Sequence, residues 1–151
     1  MNVEMRRNVK AFAEQLELAI SLAVKAHMGQ RQKDGTPYIL HPLHLMLQQN
    51  EPKAQIVAIL HDVVEDTGVS FAELEQLSLS ADILTAIRLL THEASVPYFQ
   101  YIRQIKPNAL ARQVKLADLQ HNMDSRRLPS LRPKDMERLL KYHEAWRILT
   151  E

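Results

Sequence analysis

Cysteine is absent from this chain, which rules out a disulfide framework and any thiolate metal site. Aromatic residues make up only 5% of the sequence. They do not alternate with basic ones, so no strip for stacking nucleic-acid bases is expected. Neither sign of charge dominates. Nineteen Lys and Arg against eighteen Asp and Glu leave a formal charge of +1, which gives no global drive toward nucleic acid or a membrane surface. Any attraction for anions has to be local. No apolar run approaches the ~20 residues of a membrane span. The opening MNVEMRRNVKAFAEQ carries charges throughout and lacks the apolar centre of a signal peptide. A cytoplasmic protein without membrane or nucleic-acid partners is the expectation.

What is present is an ordinary globular composition, 46% hydrophobic and 25% charged over 151 residues. That length fits a single domain, 1–151, able to bury a core without staples. The apolar pattern is helical nearly everywhere. Phe12, Leu16, Ala19, Ile20, Ala23 and Val24 recur at three- and four-residue steps, predicting a long amphipathic helix to about His27. The segment MGQRQKDGTPYIL then breaks the pattern with Gly29, Gly35 and Pro37, and is the longest loop-like stretch. Pro42 suits the first turn of a short helix. The IVAIL block predicts a buried helix from about Lys53 to Glu65. Ser70 with Glu73 fits a capping box, and Ser80 is placed to cap the next helix. Pro97 opens a helix through Ile105, Asn108 caps one through Asn122, and Pro133 opens the last, ending near Trp146. Valine, isoleucine and threonine never alternate as strands require. The expected fold is all-α, with seven to nine helices around one core.

Three short segments carry the chemistry: His41-Pro42, His61-Asp62 within ILHDVVEDT, and Asp118 within VKLADLQHN. Two histidines and two aspartates are a mixed nitrogen and oxygen donor set, suited to a first-row divalent ion that activates water. On a helix, Glu65 and Asp66 follow His61-Asp62 by one turn, a position from which a carboxylate can orient or deprotonate water. Four ionisable groups beside an apolar block are costly unless a cation compensates them. Taken alone, ILHDVVEDT is equally a solvated acidic helix end, and His-Pro is more readily a polar helix start. Asp118, flanked by apolar residues, wants a partner: Lys115, an arginine or a metal. His44, three residues after His41, is the alternative ligand. His27, His92 and His143 read as structural or exposed. The basic residues Arg126, Arg127, Arg132 and Lys134 read as a solvated face that can also collect an anionic substrate.

The three motifs in this order resemble the HD-domain metal-dependent phosphohydrolases, and within them the alarmone hydrolases of the RelA/SpoT type. AHMGQRQKDGTPYILHP resembles that family's loop and His-Pro signature, ILHDVVEDT its HD signature, and VKLADLQHNM its third. The resemblance implies metal ligands His41, His61, Asp62 and Asp118, with Mn²⁺ the usual ion. It implies that Glu65 and Asp66 position or activate the attacking water, and that Lys33, Asn122 and Tyr142 contact the nucleotide. The implied reaction removes pyrophosphate from the 3′ position of guanosine tetra- or pentaphosphate. Two positions depart from the family's pattern. Gln32 and Leu119 stand where arginines are usual, which favours hydrolysis as a reading over guanosine specificity. A related hydrolase of another nucleotide phosphate, and a metal-stabilised module that binds nucleotide without turnover, are the rival expectations. Exposed apolar helix faces can support a homodimer.

Overall fold

The computed structural model describes all 151 residues, Met1–Glu151, and every regular element is helical. Helix α1, Val3–Ala26, starts where the Asn2 side chain accepts a hydrogen bond from the Met5 amide. Its Ala19 and Ala23 are fully buried, and their small side chains let the helix lie close against its neighbour. Gly29 takes a φ of +86°, which only glycine adopts without strain, and this left-handed residue turns the chain out of the helix.

The loop that follows is folded on itself. Gln32 and Thr36 close a turn through a 2.8 Å backbone bond, Gly35 supplies a second φ of +86°, and the Tyr38 amide returns to the Gln30 carbonyl. This hairpin-like turn delivers the chain into α2, Leu40–Leu47, with His41 and Pro42 in its first turn.

Helix α3, Pro52–Leu60, is the centre of the molecule. Every residue from Ile56 to Leu60 is shielded from solvent, and α1 and α2 pack against it. It is hydrophobic on all sides because it is surrounded on all sides. The expectation of one helix through Glu65 is corrected here. The chain leaves the helix at His61-Asp62, where Asp62 has φ −124° and ψ 8°, and a separate single turn, α4, covers Val63–Asp66. The His61 ring folds back onto the Ala58 carbonyl at 2.8 Å, and the Asp66 amide bonds to the Asp62 carbonyl, so the break is held on both sides.

Helix α5, Phe71–Glu75, has the expected Ser70–Glu73 capping box. Helix α6, Ala81–Leu90, begins after Ser80, whose hydroxyl bonds to the Asp82 side chain and makes no bond to the helix amides. Helix α7 spans Tyr98–Ile105, and α8, Ala109–Met123, is capped by Asn108. A 3-10 turn at Ser125–Arg127 leads to α9, Pro133–Thr150, one turn longer than the sequence suggests. Helices α6 and α8 also pack on α3, and α9 packs on α7 and α8.

The buried side chains form one continuous apolar cluster. Burying each Leu or Ile within it contributes about 1.5–3 kcal/mol. One core drawn from all nine α-helices is what a single domain requires. No helix is long and apolar enough to cross a membrane.

Candidate active site

Three elements that pack on one another bring the motif residues together. His41 comes from the first turn of α2, His61 and Asp62 from the break after α3, and Asp118 from the middle of α8. All four are buried. Donor atoms of His41, His61 and Asp62 lie within 4.8 Å of one another. Asp118 Oδ1 closes the group, 3.0 Å from His41 Nε2 and 3.9 Å from His61 Nε2. The helix break explains how adjacent residues both reach the centre. On a continuous helix, neighbours diverge by about 100°; the turn at Asp62 brings its carboxylate to 3.5 Å from His61 Nε2.

The imidazoles are oriented by their far nitrogens. His61 Nδ1 lies against the Ala58 carbonyl, so it carries the proton and Nε2 presents its lone pair to the centre. His41 Nδ1 lies 2.7 Å from Nδ1 of His121. Burial, outweighing the neighbouring Asp118, lowers the His41 pKa and keeps it neutral. With its single proton directed to His121, His41 Nε2 is likewise free to bind a cation. His121 is itself pushed down to about 4 by burial, then by Arg127 and His41, which keeps it an acceptor.

The carboxylates are held ionised. Burial pushes the Asp118 carboxyl up, but Lys115 at 2.8 Å and the contacts from His41 and His61 hold it well below the usual range. The Asn122 amide donates to Asp118 Oδ1 at 2.7 Å. Asp62 is lowered in the same way: burial opposes ionisation, and His61, His27 and the Tyr38 hydroxyl overcome it. Asp66 moves in the opposite direction. Burial, then the charges of Asp62 and Glu65, raise its pKa, as suits a group that takes up a proton. The Glu65 carboxylate is fixed by the His92 backbone N–H.

The donor set fits a divalent cation on an observation independent of any motif. His27 Nε2 and Asp62 Oδ1 approach to 3.2 Å but are out of line for a hydrogen bond, and both are buried without a partner. Two orphaned polar atoms beside three further donors, the His41 and His61 imidazoles and the Asp118 carboxylate, are an expensive arrangement for the protein alone. A cation at the cluster would give Asp62 Oδ1 its missing partner.

The cluster opens into a cleft with two lobes. The lobe over the cluster has a volume of about 370 Å³ and includes Glu65, Asp66, Lys115 and Lys141. An adjoining lobe of about 220 Å³ is lined by Arg31, Lys33, Arg127 and Arg138 among others. Tyr38, His41, Asn122 and Tyr142 face both.

Glu65, Asp66, Asn122 and Tyr142 thus lie beside the cluster, and Lys33 lies in the adjoining lobe, its ammonium 2.7 Å from Asp135. His44 is corrected as an alternative ligand. It is exposed, stacks on His121 with ring centroids 4.0 Å apart, and has its Nε2 against the Gln48 amide at 3.0 Å. His27 and His92 sit at the site, one against Asp62 and one lining the lobe, while His143 is exposed. Of the basic stretch only Arg127 lines the cleft. Arg126 pairs with Asp124 and Arg132 with Asp135. Leu119 is fully buried in the apolar core, so it cannot touch a substrate. Gln32 accepts a hydrogen bond from Arg127, so a guanidinium from the turn before α9 stands beside it.

Residues not singled out from the sequence are Tyr38, Tyr98, Arg138 and Lys141. The first carried a signal: Tyr38 lies three residues before His41 and shares its side of the chain. Arg138, Lys141 and Tyr142 share one face of α9 by the same spacing.

No family model matches the chain. Curated relatives do. It is 32% identical to the bifunctional (p)ppGpp synthase/hydrolase SpoT of Escherichia coli over 85% of its own length but 20% of that protein's, so it spans about a fifth of that long relative. It is 36% identical to the mouse guanosine-3′,5′-bis(diphosphate) 3′-pyrophosphohydrolase MESH1, covering 74% of this chain and 69% of that one. The zebrafish MESH1 is 34% identical, over 69% of this chain and 64% of its own. A solved structure of a metazoan SpoT ortholog superposes with a TM-score of 0.73 at 24% identity, over 90% of this chain and 85% of that one, and establishes the shared fold. With the mouse protein matched over more than two thirds of its length, the chain belongs to the guanosine-3′,5′-bis(diphosphate) 3′-pyrophosphohydrolase family.

Proposed function

We propose that this protein, acting as one HD-type domain over residues 1–151, is a divalent-metal-dependent phosphohydrolase that removes the 3′-pyrophosphate of guanosine 3′,5′-bis(diphosphate). The carrying observation is the buried convergence of His41, His61, Asp62 and Asp118 beside an Asp66 whose pKa is raised. The relatives' names supply the substrate class. Mn²⁺ is the ion we assign to the cluster, and a cytoplasmic nucleotide is the partner.

His41, His61, Asp62 and Asp118 would hold the cation. When bound, it supplies Lewis acidity, lowering the pKa of water and drawing charge from a phosphoryl oxygen. The rest is done by side chains. Asp66, with Glu65 beside it, takes a proton from the attacking water as its oxygen bonds to the inner 3′ phosphorus. The bond from that phosphorus to the ribose 3′ oxygen breaks, the 3′ oxygen takes up a proton, and pyrophosphate leaves. Glu65, pinned by the His92 amide, keeps its carboxylate facing the cleft. Asn122 bridges Asp118 to the substrate side of both lobes. Lys33, Arg127 and Tyr142 bound the adjoining lobe, where the nucleoside and its 5′ phosphates would lie.

The test is release of GDP and pyrophosphate from the bis(diphosphate) by the purified protein with Mn²⁺, compared with other nucleotide phosphates. Equal turnover of adenine and guanine analogues would move the assignment to a broader nucleotide hydrolase. Tight binding without product would leave a non-catalytic module.

A further inference from the structure

Lys141 differs from every other cation of the lobe over the metal cluster. Its companion there, Lys115, is spent on Asp118 at 2.8 Å, whereas Lys141 forms no ion pair. Its ammonium stands instead 4.7 Å from the centroid of the Tyr98 ring and 5.3 Å from that of Tyr142. Aromatic faces at such distances hold an ammonium in place without neutralising it. Burial, then the like charges of Arg138 and Lys115, lower its pKa, and no carboxylate acts against them. The neighbouring Tyr98 hydroxyl is shielded and has no hydrogen-bond partner. The lobe therefore holds an unpaired cation and a spare donor in the same lining as Asp62, Glu65, Asp66 and Asp118.

The placement fixes what such a cation meets, on the reading of the site as a 3′-pyrophosphohydrolase. The inner 3′ phosphate lies at the cluster, where Asp66 can serve the attacking water. The nucleoside lies in the adjoining lobe. The outer phosphate, carried away from the nucleoside, is left the remainder of the lobe over the cluster. There Lys141, Tyr98 and Tyr142 line the wall with Lys115, His92 and Tyr101, and Lys141 is the cation without an ion pair.

We propose that Lys141 is a specificity-determining residue that binds the outer phosphate of the 3′-pyrophosphate group and so distinguishes a 3′-diphosphate from a 3′-monophosphate. The experiment compares kcat/KM for guanosine 5′-diphosphate 3′-diphosphate with that for guanosine 5′-diphosphate 3′-monophosphate, in the native protein, Lys141→Met and Lys141→Arg. The ratio is unaffected by the fraction of protein that folds. In Lys141→Met the preference for the diphosphate should fall about ten- to hundred-fold, the worth of one charge-assisted hydrogen bond. Lys141→Arg should restore most of it. An unchanged ratio in a Lys141→Met protein that still hydrolyses the diphosphate overturns the proposal and leaves the hydrolase reading intact. If the native protein hydrolyses neither compound, inorganic pyrophosphate and orthophosphate are titrated into it by calorimetry. A preference for pyrophosphate that Lys141→Met abolishes then upholds the subsite although the reaction is wrong; its persistence in the variant overturns the subsite as well.

Discussion

Replacing Lys115 by methionine separates the two roles of Asp118, buried ion-pair partner and cation ligand. Lys115 and Asp118 are 2.8 Å apart, with side-chain exposures of 13% and 7%. Methionine keeps nearly the same volume, so the loss is electrostatic. Breaking a buried pair on one side costs about 3–5 kcal/mol, because the surviving charge stays desolvated. Here the Asn122 amide still donates to the carboxylate at 2.7 Å, so the lower end, about 3 kcal/mol, is expected. In a domain of this length each kcal/mol shifts Tm by about 2–4 °C, and the metal-free variant should melt roughly 6–12 °C below the native protein. Mn²⁺ fixed for both proteins at about a hundred times the native Kd returns about 2.7 kcal/mol to the native protein. The variant should gain more than the native protein, since the ammonium that competes with the cation for Asp118 is gone. Thermal melts with chelator and with Mn²⁺ read both effects. A metal-free variant within about 2 °C of the native protein would refute the pairing argument. A Tm indifferent to Mn²⁺ in both proteins would refute the metal site.

Asp62→Asn and Asp118→Asn should each reduce bound metal to a small fraction of one equivalent, measured by elemental analysis after dialysis. Asp66→Asn should lower kcat by about 10²–10⁴ while leaving the metal in place. The same substitution should raise the Tm of the metal-free protein at neutral pH. Asp66 has a raised folded pKa, so its ionisation costs stability once the pH passes its unfolded value of about 3.9 and fully so above the folded one. The advantage of Asp66→Asn should therefore vanish as the pH is lowered through that window, and a pH-independent gap would contradict the assignment. Leu119→Arg should lower expression or stability severely, because it places an unpaired guanidinium in the core. A well-folded Leu119→Arg protein in a denaturant titration would show that the position has a route to solvent.

The helical fold was legible because its signals are local. Asn108, the Ser70–Glu73 pair and Pro133 act within one turn of themselves, and each sits at the helix start its chemistry favours. The break at His61-Asp62 was not legible. Its cause is the His61 ring turning onto the Ala58 carbonyl and the convergence of α2 and α8 on the same point, and a hydrophobic pattern that runs unbroken into VVED carries no trace of either. The four cluster residues were legible as an ordered set, while the roles of His27, Tyr38 and Lys141 depend on which helices pack together. Lys141 is the plainest case. Its spacing places it on the face of α9 that carries Tyr142, but only the packing of α9 on α7 brings its ammonium over the Tyr98 ring.

A net charge of +1 conceals a strongly divided cleft. Asp62, Glu65, Asp66 and Asp118 gather on one side. Arg31, Arg127 and Arg138 line the adjoining lobe and Lys141 the lobe over the cluster, and none of these four forms an ion pair with a carboxylate. Unpaired cations at a cleft mouth raise the local concentration of an anionic ligand, and their field is screened within about 10 Å at 0.1 M salt. The division therefore predicts a kinetic signature. For a highly charged nucleotide, KM should rise as ionic strength increases from about 0.02 to 0.5 M, while kcat, set inside the buried cluster, changes little. Arg31→Gln with Arg138→Gln should raise KM at low salt and flatten its salt dependence, leaving bound metal unchanged. If KM in the native protein is indifferent to salt, substrate capture rests on contacts inside the lobes and not on the field of these four side chains.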